Sequence, residues 1–232
     1  VFSFMEGEFL RDVLAKNPQP WYQHAAWITS SIADAVAFLH IKGKKLHLNL
    51  SPDVIYVRYD RDGVPRPMLL DLGAVSDING ALDTAWLREF GMPAYIAPEL
   101  VDGSGKASVA SDVYGLGLVL YEMLSGHPAF RYRQLRDEDV RLSVVRDTPK
   151  PFNRSDLSDD ILAVVYQAIS KNPTNRQPDV RTFAKAIRSR FGEVPVERKR
   201  RSVDRRLVAG VVFALLVVTG LILLSAVVPA AV

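Results

Sequence analysis

The most constraining feature of this sequence is the stretch ASDVYGLGLVLYEMLSG, residues 110–126, which is apolar on nearly every side of a helix. A helix with this pattern is usually buried all round by other elements. Ser111 or Asp112 can cap its N-terminus, and Gly126 can end it. With 48% hydrophobic and 24% charged residues, the composition is that of a globular protein with a real core.

Hydrophobic periodicity predicts three further helices. Between residues 21 and 40 the apolar positions follow steps of three and four residues, and Gly43 follows as a stop signal. Two more helices are predicted over roughly 158–171 and 178–191. The last of them places five apolar residues on one face: Val180, Phe183, Ala184, Ile187 and Phe191.

The strand signals are few and short. Residues 55–59 are β-branched and aromatic, a turn signal follows at Asp62-Gly63, and PMLLDLG at 67–73 reads as the returning strand of a hairpin. Residues 74–98 show no sustained periodicity and contain several Gly and Pro residues, which predicts an extended surface segment. The patterns together predict a mainly α domain with a few short strands.

Composition and charge exclude some classes of function. The chain has no Cys, which excludes disulfides and thiolate metal sites. The net charge of +3 is local, since residues 197–206 carry six basic and two acidic residues and leave about −1 for the rest of the chain. This distribution argues against a nucleic-acid partner for the domain.

Residues 207–228, LVAGVVFALLVVTGLILLSAVV, contain no charged residue. As a helix rising ~1.5 Å per residue, this segment reaches roughly 33 Å, which is enough to cross a bilayer core of ~30 Å. A buried core helix of this length would normally contain some polar positions. The pattern therefore predicts a single-pass transmembrane helix, preceded by a juxtamembrane linker at 192–206 and followed by a short tail at 229–232.

Basic residues flank the N-terminal side of this segment, between Arg198 and Arg206. Because positive residues stay on the cytoplasmic side, residues 1–206 are expected to be cytoplasmic and the C-terminus outside. The same residues favour contact with anionic lipid. A role in setting the membrane orientation alone explains these basic residues equally well.

Several short motifs, taken in order, resemble the C-terminal lobe of a Ser/Thr-type protein kinase over about residues 1–191. HLNLSPDVIYV at 47–57 is similar to the catalytic loop, and LLDLG to the metal-binding D-F-G, with Asp71, Leu72 and Gly73. GMPAYIAPEL is similar to the G-T-P-x-Y-x-A-P-E segment, and the buried helix is similar to the central helix of that lobe. The N-terminal residues resemble the hinge, so the small lobe is not within this sequence, and we expect it in a longer protein.

The loop that the resemblance identifies as catalytic lacks the side chains that do the chemistry. The position of the catalytic Asp is Asn49, whose neutral amide cannot act as a base. Ser51 stands where the family has a Lys, so a positive charge is lost. Val54 stands where the family has an Asn that ligates Mg²⁺, and it offers no oxygen. Leu48 and Met92 replace the adjacent Arg and the Thr of G-T-P.

Residues that the resemblance assigns to the framework are retained. His47 matches a packing residue, and Asp112 matches an Asp that bonds the catalytic-loop backbone. Glu99 and Arg176 match an ion pair that fixes the activation segment to the helical lobe. A lobe that keeps these four residues and loses its reactive ones resembles a pseudokinase.

ATP and Mg²⁺ are the cofactors that the resemblance implies, with the backbone near Met5 as the adenine-binding hinge and Asp71 as the remaining metal ligand. Two interpretations of Asp71 stay open. Either it holds Mg²⁺ and nucleotide weakly, or it persists as a turn residue before Gly73.

Three functions follow as hypotheses. The first is a membrane-anchored pseudokinase that binds protein partners as a scaffold or regulator. The second is an active Ser/Thr kinase with an atypical loop, because phosphoryl transfer depends chiefly on positioning and charge. The third is the cytoplasmic, partner-binding part of a receptor.

Overall fold

The computed structural model of this chain describes residues 6–61, 63–71, 76–78, 80 and 84–192, with the backbone alone for Thr84, Ala85 and Arg88. The predicted hinge residue Met5, the linker after residue 192, the predicted spanning segment 207–228 and the tail 229–232 lie outside these residues. The helices are α1 Leu10–Lys16, α2 Tyr22–Phe38, α3 Thr84–Phe90, α4 Pro98–Val101, α5 Val109–Ser125, α6 Asp137–Arg146, α7 Asp159–Ala168 and α8 Val180–Phe191. The strands are β1 Glu8–Phe9, β2 Lys45–Leu46, β3 Ile55–Tyr59, β4 Pro65–Leu69 and β5 Ser76–Asp77.

Helix α5 forms the centre of the domain, and every residue from Ser111 to Ser125 is buried. The predicted N-terminal cap was wrong by one turn. Ser108 is the cap, and the Ser108 N–H donates to the Ser111 hydroxyl at 3.2 Å in a reciprocal capping box. Asp112 is used elsewhere, as described below. Gly126 ends the helix in the left-handed region at φ 80°, which confirms the predicted stop.

The long helix α2 packs against α5 and α8, which buries its periodic apolar face. It ends as an α-helix at Phe38 and continues as one π turn over Leu39–Gly43. Lys44 then adopts the left-handed conformation at φ 53° and turns the chain into β2. The turn at Lys44 therefore determines where β2 and the loop after it begin.

The predicted hairpin is confirmed. Strands β3 and β4 pair antiparallel, with Ile55 opposite Leu69 and Tyr59 opposite Pro65. The returning strand begins at Pro65, two residues earlier than its predicted start. Strand β1 pairs with the other edge of β3, and β2 pairs with β5 in a second small sheet.

The prediction that residues 74–98 form an extended surface segment was wrong for much of its described part. Helix α3 occupies Thr84–Phe90, and a 3₁₀ turn covers Pro93–Tyr95. Residues 94–97 are each at most 4% exposed. Pro93 and Pro98 both stand at the start of a helical turn, where a missing N–H costs nothing, so their presence marks helix starts rather than extended chain.

The described helices include none with the length and apolar character needed to cross a bilayer.

A buried ion pair ties α4 to the loop before α8. Arg176 donates from both terminal nitrogens to both carboxylate oxygens of Glu99, at 2.9 and 2.8 Å, and the two side chains are 0% and 3% exposed. Arg176 also donates to three backbone carbonyls, at Ala110, Ser170 and Lys171. The Ser111 hydroxyl donates to Glu99 at 2.9 Å. Both charges are therefore hydrogen-bonded on several sides, as burial requires.

Because the pair is buried, breaking it from one side leaves an uncompensated charge. We expect Glu99→Gln to lower the free energy of unfolding by about 3–5 kcal/mol. The double variant Glu99→Gln/Arg176→Met should lose less than the sum of the two single changes. Urea denaturation of the single and double variants measures both quantities.

The matched control is Arg188→Met, which removes the partner of Asp34 from an ion pair much more exposed than Glu99–Arg176 and should cost about 0–1 kcal/mol. A loss in Glu99→Gln no larger than that of the control would contradict the role of the buried pair.

Candidate functional site

The loop over residues 47–54 connects β2 to β3 and is held by one carboxylate from α5. Asp112 accepts the backbone N–H of His47 at 2.8 Å and that of Leu48 at 2.7 Å. The His40 ring nitrogen Nε2 lies 2.7 Å from the same carboxylate. Leu48 adopts φ 64°, an unfavourable conformation for a side chain of this kind, which persists only where its surroundings fix it. The hydrogen bond from the Leu48 N–H to Asp112 holds Leu48 in this conformation.

His47 links the start of the loop to the end of β4. Its ring is fully buried, and its Nδ1 accepts the Asn49 N–H at 3.4 Å. Burial lowers the pKa of His47, and the charge of Asp112 and the backbone at Leu70 and Asp71 oppose this only in part. His47 is therefore a neutral packing residue between the loop and the segment that carries Asp71.

Asn49 is buried, and its amide serves the backbone of the neighbouring segment. Its Oδ1 accepts the N–H of Met92 at 3.1 Å, and the side chain is 5% exposed. Two of the positions that depart from the family pattern, Asn49 and Met92, are thus bonded to each other. A carboxamide in this place neither accepts a proton from a hydroxyl nor carries a charge.

Ser51 and Val54 also have structural roles. The Ser51 hydroxyl is fully buried and accepts the Asp53 N–H at 3.3 Å, which closes a small turn within the loop. Val54 is 5% exposed and belongs to the hydrophobic core. Ser51 brings no cation to the loop, and the side chain of Val54 has no oxygen that could bind a metal.

Asp71 is the residue that the resemblance assigns to the family's metal-binding motif. It is exposed, lies two residues after the end of β4 and adopts φ 56°. Leu72 and Gly73 lie outside the described residues. Within the described part of the chain, no group of three or more His, Asp or Glu side chains is placed to hold a metal ion. Since Val54 has no ligand atom and Asn49 Oδ1 is engaged by Met92, the residues present do not fit the two-ligand Mg²⁺ site of the family.

A charged cluster beside the loop was missed at the sequence level. Arg11 on α1 donates to Asp53 at 3.0 Å, to Glu122 at 2.7 Å and to the Tyr95 hydroxyl at 3.0 Å. The Tyr95 hydroxyl in turn donates to Glu122. The signal available in the sequence was Glu122, a carboxylate inside an otherwise apolar helix, which requires a buried partner.

This cluster joins four segments of the chain. Burial acts to lower the pKa of Arg11, but the hydrogen bond to Asp53 and the charges of Tyr95 and Glu122 raise it overall. Burial and the charge of Glu122 raise the pKa of Tyr95 well above its usual value, so its hydroxyl stays protonated. The cluster therefore holds α1, the catalytic-type loop, the 3₁₀ turn and α5 together at neutral pH.

The model of the protein kinase domain family matches residues 1–190. The serine/threonine-protein kinase PkaA of Streptomyces coelicolor is 33% identical over 193 residues, which cover 81% of this chain and 33% of that protein. PknB of Mycobacterium leprae is 32% identical over 204 residues, with coverage of 84% and 31%. PknK of Mycobacterium bovis is 30% identical over 201 residues, with coverage of 79% and 17%.

The chain thus spans a third or less of the length of these relatives. The match nevertheless includes α1 to α7, all of α8 except Phe191, the loop held by Asp112 and the pair between Glu99 and Arg176. On this match, the chain belongs to the protein kinase family, as a largely helical domain with a few short antiparallel strands.

Proposed function

We propose that this chain is a kinase-type lobe with impaired phosphoryl transfer, which acts by binding protein partners as a scaffold or regulator. The observation that carries the proposal is Asn49, which stands in place of the catalytic Asp and accepts a backbone hydrogen bond from Met92 at 3.1 Å. A base at this position contributes ~10²–10⁴ in rate. Loss of the loop cation at Ser51 and of the metal ligand at Val54 removes further stabilisation of the reacting phosphate.

The framework supports a binding role because it keeps buried charges, which cost the most free energy to hold in a folded domain. Asp112, Glu99 and Glu122 are all buried carboxylates, and each has several hydrogen-bond partners. A buried charge that lost its partner would destabilise the domain by several kcal/mol, about 3–5 in comparable cases. The domain therefore folds stably and presents a surface to partners whether or not it transfers phosphate.

The test is a phosphotransfer assay on the full-length protein with Mg²⁺ and ATP. We expect a rate at least ~10² below the ordinary range of ~1–100 s⁻¹. The variant Asn49→Asp restores a carboxylate and should raise the rate, since it returns a proton acceptor to the loop. Transfer by the unmodified protein at ordinary kinase rates would refute the proposal.

A second candidate is an active Ser/Thr kinase with atypical loop chemistry. It is favoured by Asp71, which keeps the family's carboxylate in an exposed position at the end of β4. Under this candidate, Asp71→Ala abolishes transfer, because it removes the remaining carboxylate of the metal-binding motif. Activity that persists unchanged in Asp71→Ala would exclude this candidate.

Membrane anchoring is a further part of the proposal and rests on the sequence of residues 207–228 and on the basic residues before them. We expect the protein to remain in the membrane pellet after alkaline carbonate washing, with residues 1–206 open to protease from the cytoplasmic side. Deleting 207–228 should release it to the supernatant. Release of the undeleted protein by carbonate would contradict the anchor, and with it the receptor alternative.

A further inference from the structure

A cavity of about 630 Å³ lies beside the catalytic-type loop, between α1, the end of α5 and the loop that follows Gly126. Its floor includes Arg11 and Glu122, which connect it to Asp53 of the loop. Part of its wall is apolar, from Leu14, Ala15, Pro18, Pro128 and Ala129. The cavity is large enough for the side chains of a short peptide segment.

The rim of this cavity is basic. Arg131, Arg133 and Lys150 line it, are exposed, and make no ion pair with any of the described residues. We call these three residues the basic rim. The one acidic residue among the lining residues is Glu122, and its carboxylate is already engaged by Arg11 and the Tyr95 hydroxyl. A ligand entering the cavity therefore meets uncompensated positive charge.

Arg11 compensates the one carboxylate that lines the cavity. Its guanidinium lies 3.0 Å from Asp53 and 2.7 Å from Glu122, so it pairs with both acids from within the chain. Without Arg11, the Glu122 carboxylate in the cavity lining would lose its cation. A basic ligand would have to displace a half-buried arginine with several hydrogen bonds, which is costly.

We infer that this cavity binds an acidic segment of a partner polypeptide, with its carboxylates on the basic rim and its apolar side chains against α1. The inference rests on the proposed function and names the chemistry of the partner. A polypeptide is favoured over a nucleic acid because the wall is partly apolar and because the chain outside residues 197–206 carries about −1 net charge. The neighbouring loop with Asp53 places the bound segment beside the catalytic-type site.

The probe is a fluorescent peptide that alternates Glu or Asp with Leu, and its counterpart carries Lys at every acidic position. Fluorescence anisotropy with the whole chain should show binding of the acidic peptide and at least about tenfold weaker binding of the basic one. Affinity for the acidic peptide should fall as salt is raised, because the contacts at the basic rim are exposed.

Variants locate the site. Each of Arg131→Gln, Arg133→Gln and Lys150→Gln should weaken binding about two- to fivefold, and the triple variant by roughly tenfold or more. Arg181→Gln on α8 is the matched control, an exposed arginine away from the cavity lining, and should leave affinity unchanged. In Arg11→Gln the acidic peptide should lose affinity and the basic peptide should gain it.

Three outcomes would overturn the inference: equal affinity of both peptides, full affinity in the triple variant, or competition by an oligonucleotide of equal charge as effective as that by the peptide. The rim variants alter exposed side chains only, so the test holds even if Arg11→Gln fails to fold. If neither peptide binds and no phosphate is transferred, this inference is wrong and the proposed function stands. Phosphotransfer at ordinary rates removes the proposed function, whichever peptide binds.

Discussion

The rest of the site depends on the carboxylate of Asp112. It lies on the buried helix α5 and accepts the backbone N–H groups of His47 and Leu48, while the ring of His40 approaches it at 2.7 Å. These contacts hold the loop over residues 47–54 in a conformation that includes a left-handed Leu48. Because α5 is buried on all sides, the loop is fixed relative to the core rather than to a mobile surface.

The same frame supports side chains that serve the fold at the positions that the resemblance assigns to chemistry. Asn49 bonds the backbone of Met92, Ser51 closes a turn, and Val54 packs in the core. The shape of the loop and its chemistry are thus independent properties, since backbone position is set by Asp112 and reactivity by the side chains. On this account, a partner-binding role needs the frame alone, while phosphoryl transfer needs both.

Sequence reasoning identified the elements with strong, continuous patterns. The all-apolar helix around Val119, the periodic helix α2 and the β3–β4 hairpin carry signals that packing reinforces. It failed where local signals are short: the 3₁₀ turn at Pro93 is buried against α5 and α6, which no local pattern records. The Arg11 cluster was missed for the same reason, because its partner Glu122 is 111 positions away in the chain.

The most direct test of this account is amide hydrogen exchange at Met92, compared in the unmodified protein and in Asn49→Ala and Asn49→Asp. The account predicts that the Met92 amide is protected in the unmodified protein and in Asn49→Asp, where an oxygen still accepts its hydrogen bond. In Asn49→Ala, its exchange should be faster by about tenfold, corresponding to a lost hydrogen bond of ~1.4 kcal/mol, with the His47 and Leu48 amides unchanged. Rapid exchange at Met92 in the unmodified protein would contradict the claim that Asn49 has become a structural residue.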